Sequence, residues 1–271
     1  MAGTTDAIAK RAIDILGAAL LLAALGPPAL VMGLAIRVRS PGPLLYGQQR
    51  EGLHGRLFRI LKLRTMYTDA AERLRVRLEK DPAAAAEWAQ NGCLRQDPRV
   101  TGRLGAFARR YSLDEIPQFW NVLIGDMSLV GPRPESPRFT DCFRDRHGAV
   151  LQHRPGLFGP AQVLFRNESA LFPAGGDPED FYRQTLFPAK ARLDLAYYAG
   201  ANIFTDAAWL VRGVVTVFVP VFSGFRSENV LEAARATGIK RLVHVSTEAV
   251  LVDGSPLVNV DETRPLPERP I

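Results

Sequence analysis

Arg110-Tyr111-Ser112-Leu113-Asp114-Glu115-Ile116-Pro117-Gln118-Phe119-Trp120-Asn121-Val122-Leu123-Ile124-Gly125-Asp126-Met127-Ser128-Leu129-Val130-Gly131-Pro132-Arg133-Pro134-Glu135 is the stretch that decides the reading of this chain. Two adjacent carboxylates, Asp114 and Glu115, precede an apolar run. Ser112-x-x-Glu115 matches a capping box, in which the pair would only start a helix. Pro117 argues against that, because it would fall inside such a helix and it biases Ile116 away from helical dihedrals. A helix with Pro117 as its first residue and Gly125 as its stop fits better. The acidic pair then lies just upstream of a helix N-terminus, where unpaired N–H groups favour anions. Arg133, held between two prolines, follows. An acidic pair with a rigidly held arginine suggests carboxylate chemistry on a phosphate ester.

Working outward toward the N-terminus, Ile15 to Ile36 carries no charged side chain. Roughly 20 apolar residues suffice to cross a bilayer. Gly26-Pro27-Pro28 lies near the centre, and two consecutive prolines remove two helical donors and crowd the preceding turn. Lys10 and Arg11 precede the run, and Arg37 and Arg39 follow it, so positive charge at both ends disfavours moving either end across. A re-entrant helix–break–helix with its break at Pro27 and Pro28 satisfies both ends. A kinked spanning helix and a cleaved signal peptide are the alternatives, the latter disfavoured because the apolar run continues past the prolines.

Beyond Ser40-Pro41-Gly42-Pro43, residues 57–66 read as a short strand with interleaved cations. Edge-strand protection is the structural alternative for those cations. Residues 68–90 read as a solvated helical connector, 178–200 as helical, and 207–222 as an interfacial or core helix. Val100-Thr101-Gly102-Arg103-Leu104-Gly105 superficially resembles a dinucleotide loop, but no buried strand precedes it. Arg154-Pro155-Gly156-Leu157-Phe158-Gly159-Pro160-Ala161-Gln162 is a rigid loop carrying a cation.

The 271-residue chain has 34 Lys and Arg against 28 Asp and Glu, a formal charge of +6 that points to an anionic partner. Nucleic acid is the weakest of the anionic partners and is not expected, because the sequence carries no zinc-finger, helix-turn-helix or RNA-binding signature. Cys93 and Cys142 are isolated, which fits a reducing cytosol. The four histidines have no metal-ligand spacing, so any metal should be a hard ion on oxygen ligands.

Seven motifs in order carry a family resemblance over residues 8 to about 218. They are Lys10-Arg11-x-x-Asp14; Gly42-Pro43 with Gln49-x-x-Gly52; Lys62-x-Arg64-Thr65-Met66; Asp97-Pro98-Arg99-Val100-Thr101; Ser112-Leu113-Asp114-Glu115-x-Pro117-Gln118; Met127-Ser128-Leu129-Val130-Gly131-Pro132-Arg133-Pro134; and Arg154-Pro155-Gly156 with Gln162. The chain resembles the bacterial sugar transferases, the small monotopic polyprenyl-phosphate glycosyl-1-phosphate transferases. That resemblance implies an enzyme moving a hexose-1-phosphate from a UDP-sugar to undecaprenyl phosphate, releasing UMP and initiating exopolysaccharide or O-antigen synthesis. It implies Asp114 as nucleophile forming a covalent phospho-sugar, and Glu115 as ligand of Mg2+. It offers Lys62, Arg64, Arg99, Arg133, Arg154 and Gln162 as substrate or phosphate ligands. The insertion at 75–103 favours UDP-glucose or UDP-galactose. The implied partners are the UDP-sugar, the polyprenyl phosphate and the bilayer, with a homodimer an admissible assembly. The implied location is the bacterial inner membrane with the catalytic domain facing the cytoplasm.

The expected fold is mainly α with a small β element. A re-entrant membrane anchor (1–43) precedes a compact α/β catalytic domain with interfacial helices (44–225). Residues 226–271 resemble a helix–strand fragment of an extended short-chain dehydrogenase/epimerase, lacking its glycine loop and its Tyr-x-x-x-Lys pair. An NAD-dependent activity is therefore disfavoured. A non-catalytic membrane scaffold is the other alternative, and the intact acidic pair argues against it.

Overall fold

The computed structural model describes residues 4–143, 147–166, 168–172, 177–218, 250–252 and 255–257. The chain divides into two units, residues 1–220 and 221–271.

The first unit opens with one helix, α1 (Thr4–Arg39), of 36 residues. The interruption expected at Pro27 and Pro28 does not divide it. Two amide donors are lost there, but Leu22, Leu25 and Ala29 pack against the hydrophobic core, and that packing carries the helix through. Both ends of α1 are fastened to the same unit. Near the start, Asp14 accepts from Ser128 Oγ at 2.8 Å and from Leu129 N at 2.9 Å. Arg11 donates to the carbonyls of Val122 and Leu123 at 2.8 and 3.0 Å. At the other end Ile36 is buried, and Ser40 is held by the Arg64 guanidinium through Oγ at 2.8 Å and through its carbonyl. The outward face stays apolar and bare, with Leu16, Leu20, Val31 and Val38 exposed. By length and composition α1 is able to cross a membrane.

An antiparallel hairpin follows, β1 (Leu45–Glu51) and β2 (Leu57–Leu63), in the register Tyr46↔Lys62 to Glu51↔Leu57. The expected connector at 68–90 is two helices, α2 (Ala70–Lys80) and α3 (Pro82–Asn91). They part at Asp81, whose carboxylate caps α3 by accepting from Ala83 N and Ala84 N, with Pro82 in the first turn. Next come α4 (Gly102–Arg110) and α5 (Gln118–Ile124). Gly125, at φ +95°, ends α5 as the glycine placement predicts, and Pro117 lies one residue ahead of its start. Ile116, expected away from helical dihedrals, is instead helical (φ −51°, ψ −38°), so the turn carrying the acidic pair runs on toward α5. The capping box does not form: Ser112 is left-handed (φ 53°) and makes no side-chain cap.

Two short parallel strands, β3 (Ser128–Val130) and β4 (Gly156–Phe158), pair as Ser128↔Gly156 and Val130↔Phe158. Glycine is required at this junction by crowding. A Cβ on Gly131 would lie 2.2 Å from the Arg154 carbonyl oxygen, and one on Gly156 would lie 2.1 Å from Gly131 N. The helices α6 (Pro160–Leu164), α7 (Pro178–Phe181), α8 (Phe187–Tyr198) and α9 (Ile203–Phe218) complete the unit. α9 turns Leu210 and Gly213 inward while Phe204, Val211 and Val215 stay exposed, so it has one core face and one bare apolar face.

The main core joins α1, β2, α5 and β3 through Ala18, Ala29, Ile60, Leu63, Ile116, Phe119, Val122, Met127 and Leu129. Fully burying each larger member contributes about 1.5–3 kcal/mol. A second cluster gathers Phe139, Phe143, Val150, Tyr182, Leu186 and Phe187. In the second unit the described residues form a hairpin, β5 (Val250–Val252) with β6 (Ser255–Leu257). The helix–strand expected at 229–247 lies outside the described residues.

Candidate active site

Asp114 and Glu115 occupy a single helical turn (Leu113–Glu115) between α4 and α5. Asn121 sets that turn against β2. Its Oδ1 accepts from Leu61 N at 3.0 Å and its Nδ2 donates to Arg59 O at 2.9 Å, so one buried amide side chain takes the place of a neighbouring strand. Lys62 is thereby delivered to Glu115, with Nζ 2.7 Å from Oε1.

The two carboxylates have different surroundings. Asp114 is 8% exposed and forms no ion pair among the described residues. Burial, and then the charge of Glu115, push its carboxyl up to about 6, against the pull of Lys62, Arg109 and its own backbone amide. For Glu115 burial also raises the value, but Lys62, by charge and hydrogen bond, outweighs it with help from Arg133 and Arg166. Glu115 therefore stays below the usual carboxylate range. Its side chain is closely surrounded by protein yet 34% accessible, and Arg133 is likewise surrounded but exposed. Both groups reach solvent while packed among protein atoms. The cations that act on the dyad, Lys62, Arg109, Arg133 and Arg166, are suited to the oxygens of a diphosphate.

The expected ligands divide into two sets. Lys62 and Arg133 are brought to the dyad. Arg64 is instead a buried clamp, donating to the Pro43 carbonyl at 2.7 Å, to Ser40 and to the Met66 carbonyl. Arg99 makes a doubled ion pair with Asp97 at 2.6 and 3.0 Å and lies 4.8 Å over the Trp88 ring. Gln162 donates to Gly131 O and Gly156 O at 3.0 and 3.1 Å, so it braces the loop that carries Arg133. Arg154 is felt electrostatically by Arg11 at the base of α1, and not by either acid of the dyad. Asp14, Asn121, Arg109 and Arg166 were not singled out as functional from the sequence. Asp14 does belong to the first motif, and its position in that motif was a usable signal.

Among the described residues no cluster of three or more His, Cys, Asp or Glu forms a ready-made metal cage. That does not conflict with Mg2+, which keeps several waters and is held by one or two carboxylates together with substrate phosphates. Glu115, charged and accessible, fits that mode.

A long apolar N-terminal helix packed on a small sheet, with an acidic dyad beside Lys62, defines an α-rich class of protein. The chain belongs to the bacterial sugar transferase family, whose model matches residues 5–220. It is 42% identical over 159 residues to an undecaprenyl-phosphate galactose phosphotransferase of Salmonella typhimurium, covering 59% of this chain and 33% of that protein. It is 47% identical over 157 residues to a UDP-glucose:undecaprenyl-phosphate glucose-1-phosphate transferase of Caulobacter vibrioides, covering 57% and 53%. It is 41% identical over 162 residues to the exopolysaccharide production protein ExoY of Sinorhizobium fredii, covering 59% and 71%. The chain thus spans about a third of the Salmonella protein and most of the Sinorhizobium one.

Proposed function

We propose that this protein is a phosphoglycosyl transferase that moves a hexose-1-phosphate from a UDP-sugar to undecaprenyl phosphate. The observation that carries the reading is the division of the dyad: Asp114 is unpaired and raised to about 6, beside a Glu115 held charged by Lys62. Two neighbouring carboxylates pushed apart in this way take separate roles. At neutral pH Asp114 is mostly ionised but weakly solvated, as a nucleophile should be.

A carboxylate oxygen of Asp114 attacks the sugar-bearing phosphorus. The bond from that phosphorus to the bridging oxygen breaks, and UMP leaves with that oxygen. An oxygen of the polyprenyl phosphate then attacks the same phosphorus and releases Asp114, giving polyprenyl-diphosphate-sugar. The second nucleophile is already an anion, so no general base is required. Lys62, Arg133 and Arg166 offset charge on the phosphoryl oxygens. Glu115 would hold Mg2+, which supplies further neutralisation of the diphosphate.

The names of the relatives support glucose or galactose as the sugar and exopolysaccharide initiation as the role. The attachment of both ends of α1 to one unit supports a re-entrant anchor with the site on the cytoplasmic face of the inner membrane. The test is to incubate the purified protein with UDP-glucose or UDP-galactose, Mg2+ and undecaprenyl phosphate while following UMP. Release of UMP with one of these sugars is expected. No release with either contradicts the reading.

A further inference from the structure

Arg133 is ringed by carboxylates but bonded to none. Glu135, Glu168 and Glu115 each act on it by charge. Among the described residues its guanidinium makes no ion pair. An arginine with three acidic neighbours would ordinarily close onto one of them.

Lys190 explains why it does not. This lysine is 4% exposed and lies on α8, far from the dyad in sequence. Its Nζ is 3.4 Å from Glu135 Oε1, 3.0 Å from Glu168 Oε2 and 3.1 Å from the Tyr182 hydroxyl. Three donors meet three acceptors, so its hydrogen-bonding capacity is filled. Tyr182 in turn donates to Glu135. Both carboxylates that compete for Arg133 are therefore occupied by a buried cation, while Lys62 occupies Glu115.

We propose that Lys190 is a positioning residue that keeps the Arg133 guanidinium free for an incoming phosphate by occupying Glu135 and Glu168. Replacing it with an apolar residue leaves a buried Glu135 and a half-buried Glu168 without that cation, and Arg133 already interacts with both by charge. Arg50, which also feels Glu135, is hydrogen-bonded to Gln48 at 2.8 Å. Arg133 then turns away from the dyad and phosphate affinity falls. The inference rests on the nucleotide-sugar reading above, because it concerns the anion which that reading places at Arg133.

The test is a double-mutant cycle read by calorimetric titration of the full-length protein with UMP and Mg2+. Lys190→Met should weaken UMP binding about tenfold or more. In an Arg133→Ala background the same change should alter binding less than about twofold, since the residue it acts through is gone. Lys190→Met/Glu135→Gln should recover most of the affinity, as should Lys190→Arg. Both variants also limit the number of unpaired buried charges, so the test survives if Lys190→Met folds poorly. Equal loss in both backgrounds, or no loss in either, overturns the inference while the wild type still binds UMP. A wild type that does not bind UMP contradicts the nucleotide-sugar reading itself, and this inference with it.

Discussion

Asp114 and Glu115 are adjacent in the chain and opposite in character, and the difference has measurable consequences. An unfolded aspartate titrates near ~3.9, whereas folded Asp114 titrates at about 6. Between these values the folded state binds more protons than the unfolded one, so stability falls as pH rises through that window. Asp114→Asn should therefore match the wild type in stability near pH ~3.5 and exceed it above pH ~6.5. The gap corresponds to about 3 kcal/mol at most, and chemical denaturation at the two pH values measures it. The same substitution should lower kcat/KM by more than about a thousandfold, because the nucleophile is removed. Wild-type kcat/KM should rise with pH and level off above about 6, as Asp114 ionises. The acidic pair was legible in the sequence because its signal is local, fixed by Pro117 and Gly125 within one short segment. The roles of Arg64 and Gln162 were not. Both sit in motifs that point to phosphate, but their partners (Ser40 and Pro43, Gly131 and Gly156) are set by tertiary approach that no spacing reveals. Lys190 was invisible for the same reason, since the carboxylates that define it are 22 and 55 residues away.

At the scale of elements, the site depends on two joints. Asn121 binds α5 to β2 through two backbone groups of that strand. Asn121→Ala leaves Leu61 N and Arg59 O unpaired at the interior, each costing about 1–3 kcal/mol. A loss of about 3 kcal/mol is expected in urea unfolding, together with a weakened Lys62–Glu115 contact. The other joint is the glycine contact between β3 and β4. Gly131→Ala places a Cβ against the Arg154 carbonyl and should cost about 1–3 kcal/mol as the strands separate. Because Arg133 is two residues along, UMP affinity should fall together with stability. The helices α1, α5, α8 and α9 and the β2 strand were readable from periodicity and breakers, whereas α4 was not read and α6 begins where a rigid loop was expected. The division of the 68–90 segment at Asp81-Pro82 was written in the sequence too, as a cap followed by a first-turn proline. The continuity of α1 through Pro27 and Pro28 was not, because core packing compensates for a penalty that is all the sequence displays.

For the whole molecule, the two ends of the apolar run have separate fastenings. Lys10 pairs with Asp206 of α9 at 2.5 Å, and Arg11 and Asp14 hold α5 and β3. Ser40 is held by Arg64 at the opposite end. A helix tied at both ends to one unit should present both ends to the same side of a membrane. A cysteine introduced at Ala7 and the native Cys93 should then react with an impermeant maleimide together in inverted vesicles and not at all in intact cells. Labelling from opposite sides contradicts re-entry. On the proposed reading, the bare apolar faces of α1 and α9 meet lipid while the cations near Asp114 take the phosphates. The most direct test of that central claim omits the acceptor. The protein is incubated with UDP-glucose or UDP-galactose and Mg2+ alone, and then analysed by intact mass and peptide mapping. One hexose phosphate on the peptide containing Asp114, with an equal amount of UMP and neither product in Asp114→Asn, is the predicted result. UMP formed by the wild type and by Asp114→Asn alike, with no adduct on that peptide, would contradict the account.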